Sequence, residues 1–206
     1  RARTPRGGGT RGFVLEDAGK LEGYAYLTEK SHAVGDYDVV VSDAVALSRR
    51  AARRLLSFFA EHRTLARAVI WYGGPSDPLL GELPEAAYEM TLGHRWMMRV
   101  VHAASALASR GYSAELSTAL ELELSDDLLP ENAGRITLEL ARGSAEVRPG
   151  GRGRLKLGPN GLAPLYTGFA TPWALKRRGL LDGDDESLAR AAAIFAGPAP
   201  AMSEMF

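Results

Sequence analysis

The sequence predicts an α+β protein in two parts that meet near Gly111-Tyr112. Three observations predict it. Short runs alternate apolar with polar residues, as half-buried strands do. Other runs repeat apolar residues at helical spacing. The rhythm also changes at residue 111: before it strands and helices mix, whereas after it strands come first and helices follow, the order of a sheet covered on one face.

In the first part, residues 1–111, Phe13-Val14-Leu15 and Leu21 to Thr28 flank the polar turn Glu16-Asp17-Ala18-Gly19-Lys20 and read as a hairpin. Val39, Val41, Val45 and Leu47 share one parity, which predicts a strand with those four on one face. Ser48 stands where a helix N-cap belongs. The helix behind it puts Ala51, Ala52, Leu55, Leu56 and Phe59 on one side and Arg49, Arg50, Arg53 and Arg54 towards the other. Ala68 to Trp71 reads as a short buried strand and Trp96 to Val101 as another. Ala103 to Arg110 forms a short helix closed by Gly111.

In the second part, residues 112–206, Leu120, Leu122 and Leu124 alternate with Glu121 and Glu123. Ile136, Leu138 and Leu140 do the same, and Ala145 with Val147 and Leu155 with Leu157 continue the period of two. An antiparallel meander follows, its charged face wet. Leu162, Leu165, Tyr166 and Phe169, then Leu188, Ala191, Ala192 and Phe195, have helical spacing and supply the cover. Gly197-Pro198 stops the last helix, and an apolar tail runs to Phe206.

Composition removes several function classes. The 25 Lys+Arg balance 25 Asp+Glu, so no global field would hold nucleic acid or an anionic membrane. There is no cysteine, which excludes disulfides, thiolate metal sites and a cysteine nucleophile. No apolar run approaches the roughly 20 residues of a membrane span. Residues 1–12 are Arg- and Gly-rich with no apolar core, unlike a secretory signal, and Arg1 in place of Met reads as an internal residue of a longer protein.

Arg148-Pro149-Gly150-Gly151-Arg152-Gly153 fits the Arg-x-x-Gly-x-Gly pyrophosphate loop letter for letter. Such a loop must open a helix whose N-terminal amides hold the phosphates. Here Arg154-Leu155-Lys156-Leu157 follows, an alternating strand, so the segment reads as a hairpin turn. Gly7-Gly8-Gly9 has no strand before it. His32, His62, His94 and His102 lack metal-site spacing, and His102 reads as a structural hydrogen-bonding residue at a helix start. The serines show no nucleophile-elbow spacing. The four arginines read as a solvated helix face, and Trp71, Tyr72 and Trp96 as core. A docked tail would carry its α-carboxylate into a half-buried place, where a raised pKa makes it a better proton acceptor.

Gly23-Tyr24-Ala25-Tyr26, Ser76-Asp77-Pro78-Leu79, Trp96-Met97-Met98-Arg99-Val100-Val101, Ala106 to Tyr112, Leu162-Ala163-Pro164-Leu165-Tyr166-Thr167-Gly168 and the aromatic terminus Phe206 occur in a telling order. From Phe13 to Phe206 the chain thereby resembles the C-terminal half of the enhanced intracellular survival (Eis) family of aminoglycoside N-acetyltransferases. The resemblance implies a second, GNAT-like domain lacking an acetyl-CoA site over 1–111 and a sterol-carrier-like domain over 112–206. It implies that acetyl-CoA binds to a domain outside this chain, that this chain alone is inactive, and that the terminal carboxylate of Phe206 accepts the proton of an attacking amine. It places substrate contacts at Glu204 and Met205, although the family pattern has its acidic residue immediately before the terminal Phe. A cytoplasmic, trimer-based homo-oligomer is also implied. Two competing readings are a lipid-binding module and a scaffold for oligomerisation alone.

Overall fold

The computed structural model describes residues 9–33, 35–84, 87–93 and 96–202. Two units are present, one running through Thr91 and including Ala201, the other spanning Leu92–Pro200. Among the described residues, no helix is long and apolar enough to cross a membrane.

In the first unit, β1 (Arg11–Asp17), β2 (Lys20–Ser31), β3 (Tyr37–Ala46) and β4 (Ala66–Trp71) form a sheet in that order. The first two ladders are antiparallel and β3–β4 is parallel. Ala18 and Gly19, at φ 48° and 76°, make the tight turn that joins β1 to β2. Helix α1 (Arg49–Ala60) links β3 to β4 and buries Ala51, Ala52, Leu55 and Phe59. Ser48 caps it as expected, its side chain accepting the Ala51 amide at 3.1 Å. Of these, Ala52, Leu55 and Phe59 join Ala25, Leu27, Val39, Val41 and Leu79 in one core.

Two expectations fail here. The β2–β3 register shifts between Tyr26 and Leu27, where Asp43 and Val41 are the successive partners and Ser42 is the extra residue. That bulge reverses the parity of β3. Ala44 and Ala46 pack against the core, while Leu47 lies exposed. Second, β4 is an edge strand, not a buried one, and Ile70 is 40% exposed.

The second unit holds β5 (Thr118–Leu124), β6 (Gly134–Ala141), β7 (Ser144–Pro149), β8 (Leu155–Leu157) and β9 (Leu181–Gly183), in the order β7-β6-β5-β8-β9. The leucine alternation appears as predicted, with Leu120, Leu122, Leu124, Leu138, Leu140, Leu155 and Leu157 all buried. The sheet is mixed, however, because β5 and β8 run parallel. Helices α2 (Ala103–Ser109), α3 (Pro159–Tyr166), α4 (Pro172–Arg177) and α5 (Asp185–Ile194) supply Leu107, Leu162, Leu165, Leu175, Leu188 and Ile194 to the same core. The sequence groups the helix at 103–109 with the first part, yet Ala103 and Leu107 pack among these leucines.

Trp96 to Val101 forms no strand. Val100 is buried in the second core, but Met97, three residues before it, is 99% exposed, and among the described residues no strand pairs with the segment. Phe169 lies beyond the end of α3 and faces solvent, so the helical spacing there was fortuitous. Strand β9 and helix α4 carry no clear periodic signal, being three and six residues long.

Candidate functional site

The parallel β3–α1–β4 crossover is the place where a fold of this kind would hold a phosphate, at the helix N-terminus. Local structure closes it. A register shift in the first hairpin makes Glu22 an extra residue between the partners of Leu15 and Glu16. The Glu22 carbonyl accepts the Leu47 amide at 2.9 Å. Its carboxylate accepts the Ser48 hydroxyl at 3.0 Å. The start of α1 is therefore occupied by a hydroxyl and faced by a carboxylate.

A groove of about 380 Å³ lies between the hairpin and α1, with Glu16, Asp17 and Glu22 on one side and Arg50, Arg53 and Arg54 on the other. The arginines are engaged. Arg49 and Arg53 reach Glu82 at 2.7 and 3.5 Å, Arg50 reaches Asp17 at 2.8 Å, and Arg54 reaches Glu61 at 3.4 Å. Their side chains stay 57–78% exposed, the solvated face expected, and from it Arg49 and Arg53 make surface ion pairs to the 3-10 turn at Leu80–Glu82 and Arg50 to the hairpin. No glycine occurs between Leu47 and Phe59, and the Ala51 and Ala52 side chains are buried. The diphosphate of acetyl-CoA needs free amides and close backbone approach. The residues present here do not fit it.

The Arg148–Gly153 segment is not a phosphate loop, and it is not a hairpin either. Pro149 sits beside Ile136, and Leu155 beside Leu122, so the segment crosses the polar face of β6 and β5 to join β7 to β8. Gly150, Gly151 and Gly153 have φ of 100°, 102° and 63°. A Cβ on Gly151 would lie 2.6 Å from Thr137 Oγ1, and one on Gly153 would lie 2.8 Å from Glu123 Cβ. The glycines serve a close crossing over a sheet, and part of the face expected to be wet is strapped.

The described histidines make structural bonds. His32 Nε2 lies 2.9 Å from Asp38, His62 Nδ1 lies 3.1 Å from the Tyr37 hydroxyl, and His102 Nδ1 accepts the Ser105 amide at 3.2 Å. His94 lies outside the described residues. Trp71 packs on the first core and donates to Asp77 at 3.1 Å, whereas Tyr72 and Trp96 are exposed. Phe206, Glu204 and Met205, the three residues given chemical roles above, lie outside the described residues. Ala201 lies against Gly74, where a Cβ would come within 2.5 Å of the alanine methyl.

Two polar clusters escaped the sequence. Asp126, 5% exposed at its side chain, accepts from Arg99 at 2.5 Å and from the Leu129 and Leu128 amides at 2.9 and 3.1 Å. Burial alone would raise its carboxyl, but the two amides, the Asn132 amide and Arg99 outweigh that and hold it below the usual carboxylate range. Asn132 also accepts the Ala103 amide at 2.8 Å and so caps α2. The other cluster centres on Arg110. Its guanidinium donates to the carbonyls of Tyr166, Gly111 and Ile194 and stands 5.1, 5.9 and 5.3 Å from the rings of Tyr112, Tyr166 and Phe195. Its partners are up to 84 residues away in sequence, and no local pattern announces them.

Residues 1–100 match the acetyltransferase (GNAT) domain family, and residues 103–203 match the sterol carrier protein domain family. No curated protein sequence matches the chain. Among solved structures, a GCN5-related N-acetyltransferase from Anabaena variabilis superposes with a TM-score of 0.92 at 36% identity, over 99% of this chain and 52% of that one. A GCN5-related N-acetyltransferase from Kribbella flavida gives 0.76 at 32% identity, over 93% and 50%. Eis1 from Mycobacterium abscessus gives 0.72 at 24%, over 96% and 51%, which shows a shared fold. The chain thus spans about half the length of the structures it matches. It pairs an acetyltransferase domain of the GNAT type with a sterol carrier protein domain.

Proposed function

We propose that this chain is a donor-free part of an acetyl-CoA-dependent N-acetyltransferase of the Eis type, acting on amines of the aminoglycoside or polyamine kind. The observation that carries the reading is the closed β3–α1 junction, where Ser48 and Glu22 occupy the position a diphosphate would need. Acetyl-CoA then binds outside these residues, and the chain alone turns over none. The reaction moves an acetyl group from the thioester to an amine. This chain's contribution is the proton acceptor: the terminal carboxylate of Phe206 takes the proton that the amine nitrogen must lose, with Glu204 and Met205 beside it against the substrate. A homo-oligomeric, cytoplasmic enzyme completes the proposal. The lipid-module reading would need space beneath the second sheet, which Leu162, Leu165, Leu175, Leu188 and Ile194 fill.

Calorimetric titration of acetyl-CoA into the purified 206-residue chain tests this directly. The expected result is no saturable heat. Micromolar binding would mean that a donor site exists within the chain, and the proposal would fail.

A further inference from the structure

We propose that Tyr24, Tyr26 and Asp43 form a binding site for the ammonium group of an aliphatic amine, on the outer face of the first sheet. The site lies wholly within the first unit. It does not rest on where acetyl-CoA binds or on the terminal carboxylate.

A carboxylate stands on this face because of the bulge in β3. Val39 and Val41 are buried, and an unbroken strand would send residue 43 into the core beside them. Ser42 is the extra residue, so Asp43 comes opposite Tyr26 and is exposed. Tyr24 lies opposite Val45, and its hydroxyl reaches diagonally to donate to Asp43 Oδ2 at 2.8 Å. That bond holds the carboxylate beside the rings, and it is the main reason the Tyr24 phenol sits above its ordinary pKa. Among the described residues no basic side chain pairs with Asp43. Arg11, His32 and Arg67 of the same unit are engaged with Glu29, Asp38 and Asp36. The charge of Asp43 is met by a neutral hydroxyl alone.

The rings complete the site. Tyr24 and Tyr26 meet edge to face, their centroids 5.8 Å apart and their planes at 70°. Gly12 faces Tyr26 across the first ladder, and a Cβ there would fall 2.9 Å from Tyr26 Cε1. The Tyr26 ring therefore lies across the glycine, and the residue stays 46% exposed. An ammonium ion is attracted to the negative face of such a ring and donates charge-assisted N–H bonds to a carboxylate. A single carboxylate beside two rings suits an organic cation better than a metal ion, which needs several oxygen ligands. The carboxylate selects a nitrogen that carries N–H groups, and the methylenes next to it pack on the ring.

The test titrates spermidine into the purified 206-residue chain and follows the NMR signals of the tyrosine rings. Saturable shifts of the Tyr24 and Tyr26 signals are expected. Asp43→Asn keeps an acceptor for the Tyr24 hydroxyl but removes the charge, and should weaken binding roughly 5-fold. Tyr26→Leu should weaken it roughly 2- to 5-fold, and decides the matter where Asp43→Asn folds poorly. Tetramethylammonium has the charge but no N–H, and should bind less tightly than spermidine. Asp127→Asn removes an exposed carboxylate of the second unit and should change nothing. No saturable shift of either ring up to about 10 mM spermidine overturns the site. So does equal affinity in Asp43→Asn and the unaltered chain, or tetramethylammonium binding as tightly as spermidine. Equal weakening by Asp127→Asn would show the amine spread over surface carboxylates, and the site would fall.

Discussion

Tyr112 reports on the second core one residue at a time. Its hydroxyl donates to Leu107 O at 2.7 Å. Burial pushes the phenol up to about 12, Arg110 opposing and Tyr166 adding to the shift. The folded chain therefore holds this proton more tightly than the unfolded chain, whose tyrosine titrates near 10. The sign follows by linkage: the contribution is whole below pH 10 and is lost as pH rises from 10 to 12. Tyr112→Phe should cost about 1 kcal/mol near neutrality, the net worth of one hydrogen bond. Urea midpoints of the two proteins should converge between pH 10 and 12. Parallel lines over that interval would place the phenol in water.

At the scale of elements, the glycine strap is the least replaceable connection. Its residues cross the outer face of the second sheet, where Thr137 donates to Gly150 O at 3.2 Å. Gly151→Ala would set a methyl 2.6 Å from Thr137 Oγ1 at a φ of 102°, so the side chain cannot yield without breaking that bond. We expect a loss on the order of 1–3 kcal/mol in urea unfolding. Gly111→Ala, with nothing within 4 Å of the added carbon and no left-handed φ, should stay within about 0.5 kcal/mol and serves as the control. Equal effects at the two sites would show that the strap does not approach the sheet closely.

Across the whole molecule, burial is divided between two cores. Among the described residues the second has eighteen buried members and the first eight, so the first should be the less stable. Leu55 lies in the smaller core and Leu107 in the larger. Each truncation to alanine should cost about 2–5 kcal/mol. Calorimetry is expected to resolve two transitions, Leu55→Ala lowering the earlier and Leu107→Ala the later. One transition shifted equally by both would mean that the cores unfold as a unit.

The sequence alone determined what depends on local pattern. Period-two leucines at 120–124 and 136–140 can satisfy only a one-sided sheet, and Ser48 ahead of an apolar helical stripe can only begin a helix. The strand after Gly153 was enough to reject a phosphate loop, because the loop needs a helix there. Tertiary structure decided what depends on residues far apart. One bulge at Ser42 turned Val45 and Leu47 away from the face that parity assigned, since an inserted residue reverses every later side chain. The path of the strap, the capping of α2 by Asn132 and the carbonyl cage around Arg110 join segments 13 to 84 residues apart. Such contacts are set by packing, which no short window of sequence contains.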